Sequence, residues 1–321
     1  MSKWMKDKTE LFKKFKEEKN AEKENSGINR SEMVWKTPEK GTAENPKTYI
    51  LRLLMDVNDD FYRTMSYHMF YSTANEKWVF ILCNKTFNFT NYCPLCAAVS
   101  KLYTGSSEDK KVAYNFKRKV KHCCNAYISK DPRDADKIEE EKSEGKVYIY
   151  EFPTKVESKI KGEMNDSEYG AGMNLFDPGK DGFDFILKVG ATKPMQEGAN
   201  KGKSFPDYGD SKFANRPSAI ADSDDVIETA MEGRHDLTKY LDSMVKDDDY
   251  VIDILKKEML YDLVKTEVES RMKLKDPSYL VQQEVVDTPD TSSTETSVEQ
   301  EPDSNVSDLE LMKELDELDS L

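Results

Sequence analysis

The sequence predicts an α+β protein built on an antiparallel, barrel-like sheet, and three observations carry that expectation. Six runs rich in β-branched and aromatic residues recur between residues 47 and 190. They are separated by Gly, Asn, Asp and Pro clusters rather than by regular helical patterns, which favours antiparallel pairing with long insertions over βαβ units. Helical periodicity follows the sheet, in residues 224–274. The chain has 321 residues, enough for a sizeable core, yet only 37% are hydrophobic and 34% are charged, so part of the length reads as unpacked tail.

Taken from the N-terminus, the first element is a basic arm over residues 1–24. Lys3, Lys6, Lys8, Lys13, Lys14 and Lys16 face only Asp7 and Glu10 in the first sixteen residues. Leu11, Phe12 and Phe15 give the segment an apolar helical face, and Thr9 is a candidate N-cap for a helix over residues 9–24. The expected strands are KTYILRLLM (47–55), YRTMSYHMFYS (62–72), KWVFILC (77–83), NAYIS (125–129), KVYIYEF (146–152) and FDFILKVG (183–190). The helices expected after them include VIETAMEG, LTKYLDSMV and YVIDILKKEMLYDLVKTEVESRM, with Pro277 marking their end. No apolar run approaches the ~18 residues of a spanning helix, and MSKWMKDKTE has no apolar signal core, so a soluble cytosolic protein without membrane association is expected.

Charge is distributed unevenly. The formal net charge is -14, which taken whole argues against a polyanionic partner. Residues 282–321, however, hold thirteen acids against the single base Lys313, a net of -12, and leave residues 1–281 at -2. The first half of this tail, rich in Ser, Thr, Pro and acid, has a disorder composition. At its tip Leu309, Met312, Leu315 and Leu318 recur among acids at roughly helical spacing, a pattern suited to a helix formed on a partner.

Five cysteines, an odd number, point to reduced thiols or metal ligands rather than a disulfide framework. Cys93-Pro94-Leu95-Cys96 is a CxxC, Cys83 lies ten residues before it, and His68 lies fifteen before Cys83. Thiolate and imidazole around a tetrahedral centre suit one Zn²⁺, and four protein ligands leave no position for a water, so a structural rather than catalytic zinc is expected. His122, Cys123 or Cys124 could supply the fourth ligand in place of His68.

From Lys110 to Lys130 there are seven bases (Lys110, Lys111, Lys117, Arg118, Lys119, Lys121, Lys130) and no acid, interleaved or flanked by Tyr103, Tyr114, Phe116 and Tyr127. Alternating cations and π-faces is what an unpaired nucleic-acid strand requires, because phosphates need counter-charge and exposed bases need stacking platforms. Phe205 and Tyr208 form a second aromatic pair, in the polar loop KSFPDYGDSKF. The expected metal set has no open position, no paired-carboxylate cluster falls on the expected strand ends and no P-loop motif occurs, which sets a zinc-dependent nuclease behind a binding function; an acidic interaction adaptor is the third class.

Together the basic arm, the His68, Cys83, CPLC set, Lys117-Arg118-Lys119, Asn125 with Lys130-Asp131-Pro132, EGKVYIYEF, FPDYGDSKF with PSAI, and the acidic tail resemble the single-stranded DNA-binding proteins of T-even-type tailed phages. The chain departs from them at Asp7, at Thr90 before the CxxC, and at Val120–Cys123 after the basic cluster. The resemblance implies an OB-fold single-strand-binding core over residues 25–281, with a zinc subdomain over about 62–125 held by His68, Cys83, Cys93 and Cys96. It implies a phosphate track of Arg52, Lys117, Arg118 and Lys119, which the composition extends to Lys121, with Tyr103, Tyr114, Phe205 and Tyr208 on the base side. It further implies a non-enzymatic, cooperative protein of viral DNA replication, recombination and repair in the host cytoplasm. Lys6, Lys8 and Thr9 would join neighbouring copies, and the tail would gate the cleft and recruit replication and recombination proteins.

Overall fold

The computed structural model describes residues 30–89, 91–166, 171–196 and 201–275. The basic arm with Lys6, Lys8 and Thr9, the residue Thr90 and the acidic tail lie outside them. The chain divides into two compact units at Thr266 and Glu267, and of the second only the end of one helix is described.

The first unit is α+β with an antiparallel sheet, as expected. Its strands are β1 (Lys47–Leu54), β2 (Arg63–Ser72), β3 (Lys77–Leu82), β4 (Arg118–Lys130), β5 (Val147–Phe152), β6 (Phe185–Ala191), β7 (Pro206–Asp207) and β8 (Lys212–Phe213). They run in the order β3-β2-β4-β1-β6-β7, with β5 on the other edge of β4 and β8 on β6. The path does not close among the described residues, so the barrel-like expectation is met as an open antiparallel sheet.

β4 organises this sheet. Its first half pairs with β2 (His122 opposite Thr64), its second with β1 (Tyr127 opposite Arg52), and its other edge with β5 (Cys124 opposite Tyr150). Both faces of β4 are covered, since residues 122–128 are buried without a break. Strand alternation sends Cys124, Ala126 and Ile128 into the main core with Leu51, Leu53, Tyr150 and Phe152. Cys123 faces the opposite way, into a second core with Met65, Leu82, Leu237 and Tyr240. Asn125, also buried, is satisfied by a reciprocal pair: its amide nitrogen donates to the His235 carbonyl and its oxygen accepts from the His235 N–H, both at 2.9 Å.

Helices appear where the sequence pattern gave none. α1 (Arg30–Met33) precedes the sheet, α2 (Pro94–Tyr103) and α3 (Ser107–Phe116) lie between β3 and β4, and α4 (Thr154–Asn165) follows β5. Each of α2 to α4 is only ten to twelve residues long and buries two to four side chains, too few for a clear periodicity. Local signals start them: Pro94 at the first turn of α2, and a capping box between Ser106 and Asp109 at α3. The strand expected at 125–129 begins seven residues earlier, at Arg118, so the basic stretch is divided among α3, its C-cap and β4. The first two expected C-terminal helices are α5 (Asp224–Glu232) and α6 (Leu237–Asp242), while the third expected run is broken at residues 258–260, where Met259 takes a positive φ, into α7 (Asp248–Lys257) and α8 (Tyr261–Lys275). Among the described residues no helix is long and apolar enough to cross a membrane.

Candidate metal centre and nucleic-acid interface

His68 sits near the middle of β2 with its ring fully buried. Its Nδ1–H donates to the Phe116 carbonyl at 2.7 Å, which turns Nε2 toward the sulfurs of Cys93 and Cys96, each 3.5 Å away. Cys83 directly follows β3, and its N–H donates to the Ser66 carbonyl across the hairpin. Cys93 caps α2 and Cys96 lies in its first turn, so the CxxC presents two sulfurs from one helix start. The Cys83 and Cys96 sulfurs are 3.6 Å apart, and all four donor atoms lie within 4.8 Å of one another.

This geometry fits a metal. With Zn–S of about 2.3 Å and Zn–N of about 2.0 Å, a tetrahedral site has edges of about 3.8 Å between sulfurs and about 3.5 Å from sulfur to nitrogen. The observed separations match those edges. The donors also disturb one another's protonation. Hydrogen bonds with Cys83 and Cys96 hold the Cys93 thiol well below its ordinary value, while those with Cys83 and Cys93 push Cys96 up. Burial alone would lower His68, but the Cys83 and Cys93 sulfurs raise it to about 10. The four residues could therefore hold a metal ion that takes thiolates and a neutral imidazole, and such an ion would cross-link β2, the end of β3 and α2.

His122 is not part of this set. It lies in the core between Phe152, which it stacks on, and Tyr62, with Nδ1 3.1 Å from Thr64 Oγ1 and Nε2 3.9 Å from Glu157 Oε2. Cys123 and Cys124 are buried on opposite faces of β4, and burial pushes the Cys123 thiol up to about 12.

The exposed cations and rings begin where α3 ends. Tyr114 is 55% exposed, and the Lys117 ammonium lies 4.3 Å from its ring centre. Lys117 caps α3, and Arg118 and Lys119 open β4, all half-exposed. Lys121 is engaged differently: it pairs with Glu151 at 2.6 Å and lies over the stacked rings of Tyr67 and Phe80. Tyr103 is half-buried at the end of α2. Phe205 is 40% exposed and Tyr208 half-buried against the main core; both belong to the β6–β7 end of the strand order, away from β2 and β3.

Arg52 corrects an expectation. The resemblance placed it on the phosphate track, but its guanidinium is wholly buried and spent on the protein itself. Nε and Nη2 donate to Asp184 Oδ1, Nη1 to the Asp177 carbonyl at 2.7 Å, and Nη2 to the Ser218 carbonyl at 2.6 Å. Gly182 makes room for it, since an added Cβ there would meet Arg52 Nη1 at 2.2 Å. The lone charge lies in an apolar run, Ile50-Leu51-Arg52-Leu53-Leu54, and that context was the signal for burial. Sequence reading also passed over Phe87 and Phe89, two exposed rings in the polar loop NKTFNFTN; the criterion applied to Phe205 would have found them.

A family model described as gp32 DNA binding protein like matches residues 45–260, two thirds of the chain. The chain belongs to the gp32-like DNA-binding protein family. No curated protein matches it. The span that defines it as gp32-like runs from just before β1 to the residue preceding α8 and holds all four candidate metal ligands, the cationic start of β4 and the Phe205–Tyr208 loop. In this gp32-like chain the basic arm and the acidic tail fall outside both the matched span and the described residues.

Proposed function

We propose that the chain is a non-enzymatic, sequence-independent single-stranded DNA-binding protein that coats and organises DNA during viral replication, recombination and repair in the host cytoplasm. The observation that carries this reading is the junction of α3 and β4, where an exposed tyrosine, a lysine over its ring and a following Arg118-Lys119 pair stand side by side. Phosphates need such cations and unpaired bases need such rings, whereas a duplex reader presents a recognition helix to the groove. Lys117, Arg118, Lys119 and, once released from Glu151, Lys121 would track the backbone, and Tyr103, Tyr114, Phe205 and Tyr208 would face the bases.

The metal is assigned as one structural Zn²⁺. Four protein ligands supply a complete tetrahedral set, so the ion would hold the 62–125 subdomain in shape and leave hydrolysis no open position. Residues 1–24 are assigned to self-association along the strand through Lys6, Lys8 and Thr9, residues 25–281 to the single-strand-binding core, and residues 282–321 to partners. A tethered tail of net charge -12 competes with DNA for a basic surface by effective concentration and recruits replication and recombination proteins.

The test is a salt series of binding to oligo-dT and to a duplex of equal length, with zinc content measured on the same samples. Preference for the single strand and a steep loss of affinity with salt are expected. Equal or better binding to the duplex refutes the proposal.

A further inference from the structure

We infer that Phe89 is a base-stacking platform, with Lys85 and Arg118 as the cations that receive the phosphates on either side of the stacked base. The inference rests on the single-strand reading above and adds a subsite to it, on the loop between Cys83 and Cys93. Phe89 is 50% exposed on a polar loop, where burial would be the ordinary fate of a phenyl ring. The loop that displays it is built rather than slack. A 3-10 turn at Asn84–Thr86 starts it, Thr86 Oγ1 ties it to both backbone groups of Ser66, and the Asn84 amide donates to the Tyr92 carbonyl at 3.0 Å. Cys83 and Cys93 then clamp both ends of the loop into the metal centre.

Two cations from different elements converge on the ring. Lys85 Nζ from the loop itself is 4.8 Å from its centre, and the Arg118 guanidinium from β4 is 5.4 Å away. Two cations beside one exposed ring offer anion contacts next to a flat π-face. The chemical class that supplies both an anion on each side and a flat face for the ring is a single-stranded polynucleotide. Arg118 directly follows Lys117, whose ammonium lies over the Tyr114 ring, so consecutive cations of one segment meet the two rings.

The experiment uses the full chain, zinc-loaded, with oligo-dT anisotropy as the readout over a salt series. Stacking is worth about 1–3 kcal/mol per base and about 1.4 kcal/mol is tenfold, so F89L is expected to weaken binding by about fivefold to about 140-fold. The salt slope should stay as in the unaltered protein, because no cation is lost, while K85A should make it shallower by about one. F89W should restore affinity to within about threefold, which separates the loss of a π-face from a loss of structure. An oligonucleotide carrying 5-iododeoxyuridine should photocross-link to the peptide containing Phe89. Unaltered protein that binds single strands well while F89L binds as tightly overturns the inference and leaves the single-strand reading standing. Failure of the unaltered protein to bind single strands overturns both.

Discussion

Replacing Arg52 by Met separates a core role from a phosphate contact. The guanidinium satisfies the Asp177 and Ser218 carbonyls and pairs with Asp184, whose side chain is 25% exposed. Methionine keeps the apolar stem and removes every one of these donors. Each carbonyl left without a donor costs about 1–3 kcal/mol, and removing one partner of a buried pair costs about 3–5 kcal/mol. Water reaching Asp184 and the packing of the thioether offset part of this, so a net loss of about 3–5 kcal/mol is expected. For a domain of about 200 residues, at about 2–4 °C per kcal/mol, the midpoint should fall by roughly 6–20 °C. Thermal unfolding followed by circular dichroism measures it, alongside the salt slope of oligo-dT binding at a temperature where the variant is folded. A midpoint within about 2 °C of the unaltered protein, with a salt slope shallower by about one, would refute the buried assignment and return Arg52 to the phosphate track.

Three further outcomes are expected. Metal analysis should find one zinc per chain; C93S should lose it and unfold at lower denaturant, whereas H122Q should keep it, and loss of zinc from H122Q alone would overturn the choice of imidazole. Deleting residues 285–321 should tighten oligo-dT binding at low salt and have a smaller effect at high salt; no gain at low salt sinks the gating mechanism. Burial depresses the imidazoles of both His122 and His235, so the unfolded chain takes up protons at the ordinary histidine value of about 6.5 while the folded chain resists. Their contribution is complete above that pH and declines as pH falls toward the depressed folded values. The urea midpoint should therefore drop between pH 7.5 and 5.5 by less in an H122Q, H235Q double variant than in the unaltered protein, and an equal drop in both would contradict this.

The strands were legible because β-branched and aromatic runs such as KWVFILC and KVYIYEF have few ways to be buried except in a sheet. The candidate metal centre was legible because its chemistry is concentrated in few residue types, and the register of β2 and β3 brings His68 beside Cys83, 15 residues on, while the start of α2 adds Cys93 and Cys96. Length hid α2, α3 and α4, whose starts were written in a proline and a capping box rather than in periodicity. The start of β4 was hidden by its charge: Arg118-Lys119-Val120-Lys121 reads as a solvated cluster, yet it is the ladder partner of β2. Arg52 was misplaced for the opposite reason, because a residue type that usually marks a surface was given its partners by segments 125 to 166 residues away. The partners leave no local trace, and only the apolar run around Arg52 points to its burial.

The metal cluster and the cationic surface are two sides of one construction. His68 needs an acceptor on Nδ1 to aim Nε2 at the sulfurs, and it takes the carbonyl of Phe116, the last residue of α3. The next two residues are Lys117 and Arg118, and Arg118 lies opposite His68 in the β2–β4 ladder. The Phe116 ring packs on Phe70 from the same strand as His68, with centres 4.5 Å apart. An ion that fixes the imidazole therefore fixes the point at which α3 gives way to β4, and with it the spacing of Tyr114, Lys117 and Arg118. On the other side the same four ligands clamp the loop that carries Lys85 and Phe89. The segment between β3 and β4 makes few sheet hydrogen bonds of its own, so without such a cross-link its exposed rings and cations would lose their registration before the sheet lost its fold. Metal removal should consequently be felt in nucleic-acid affinity at lower denaturant than in global unfolding.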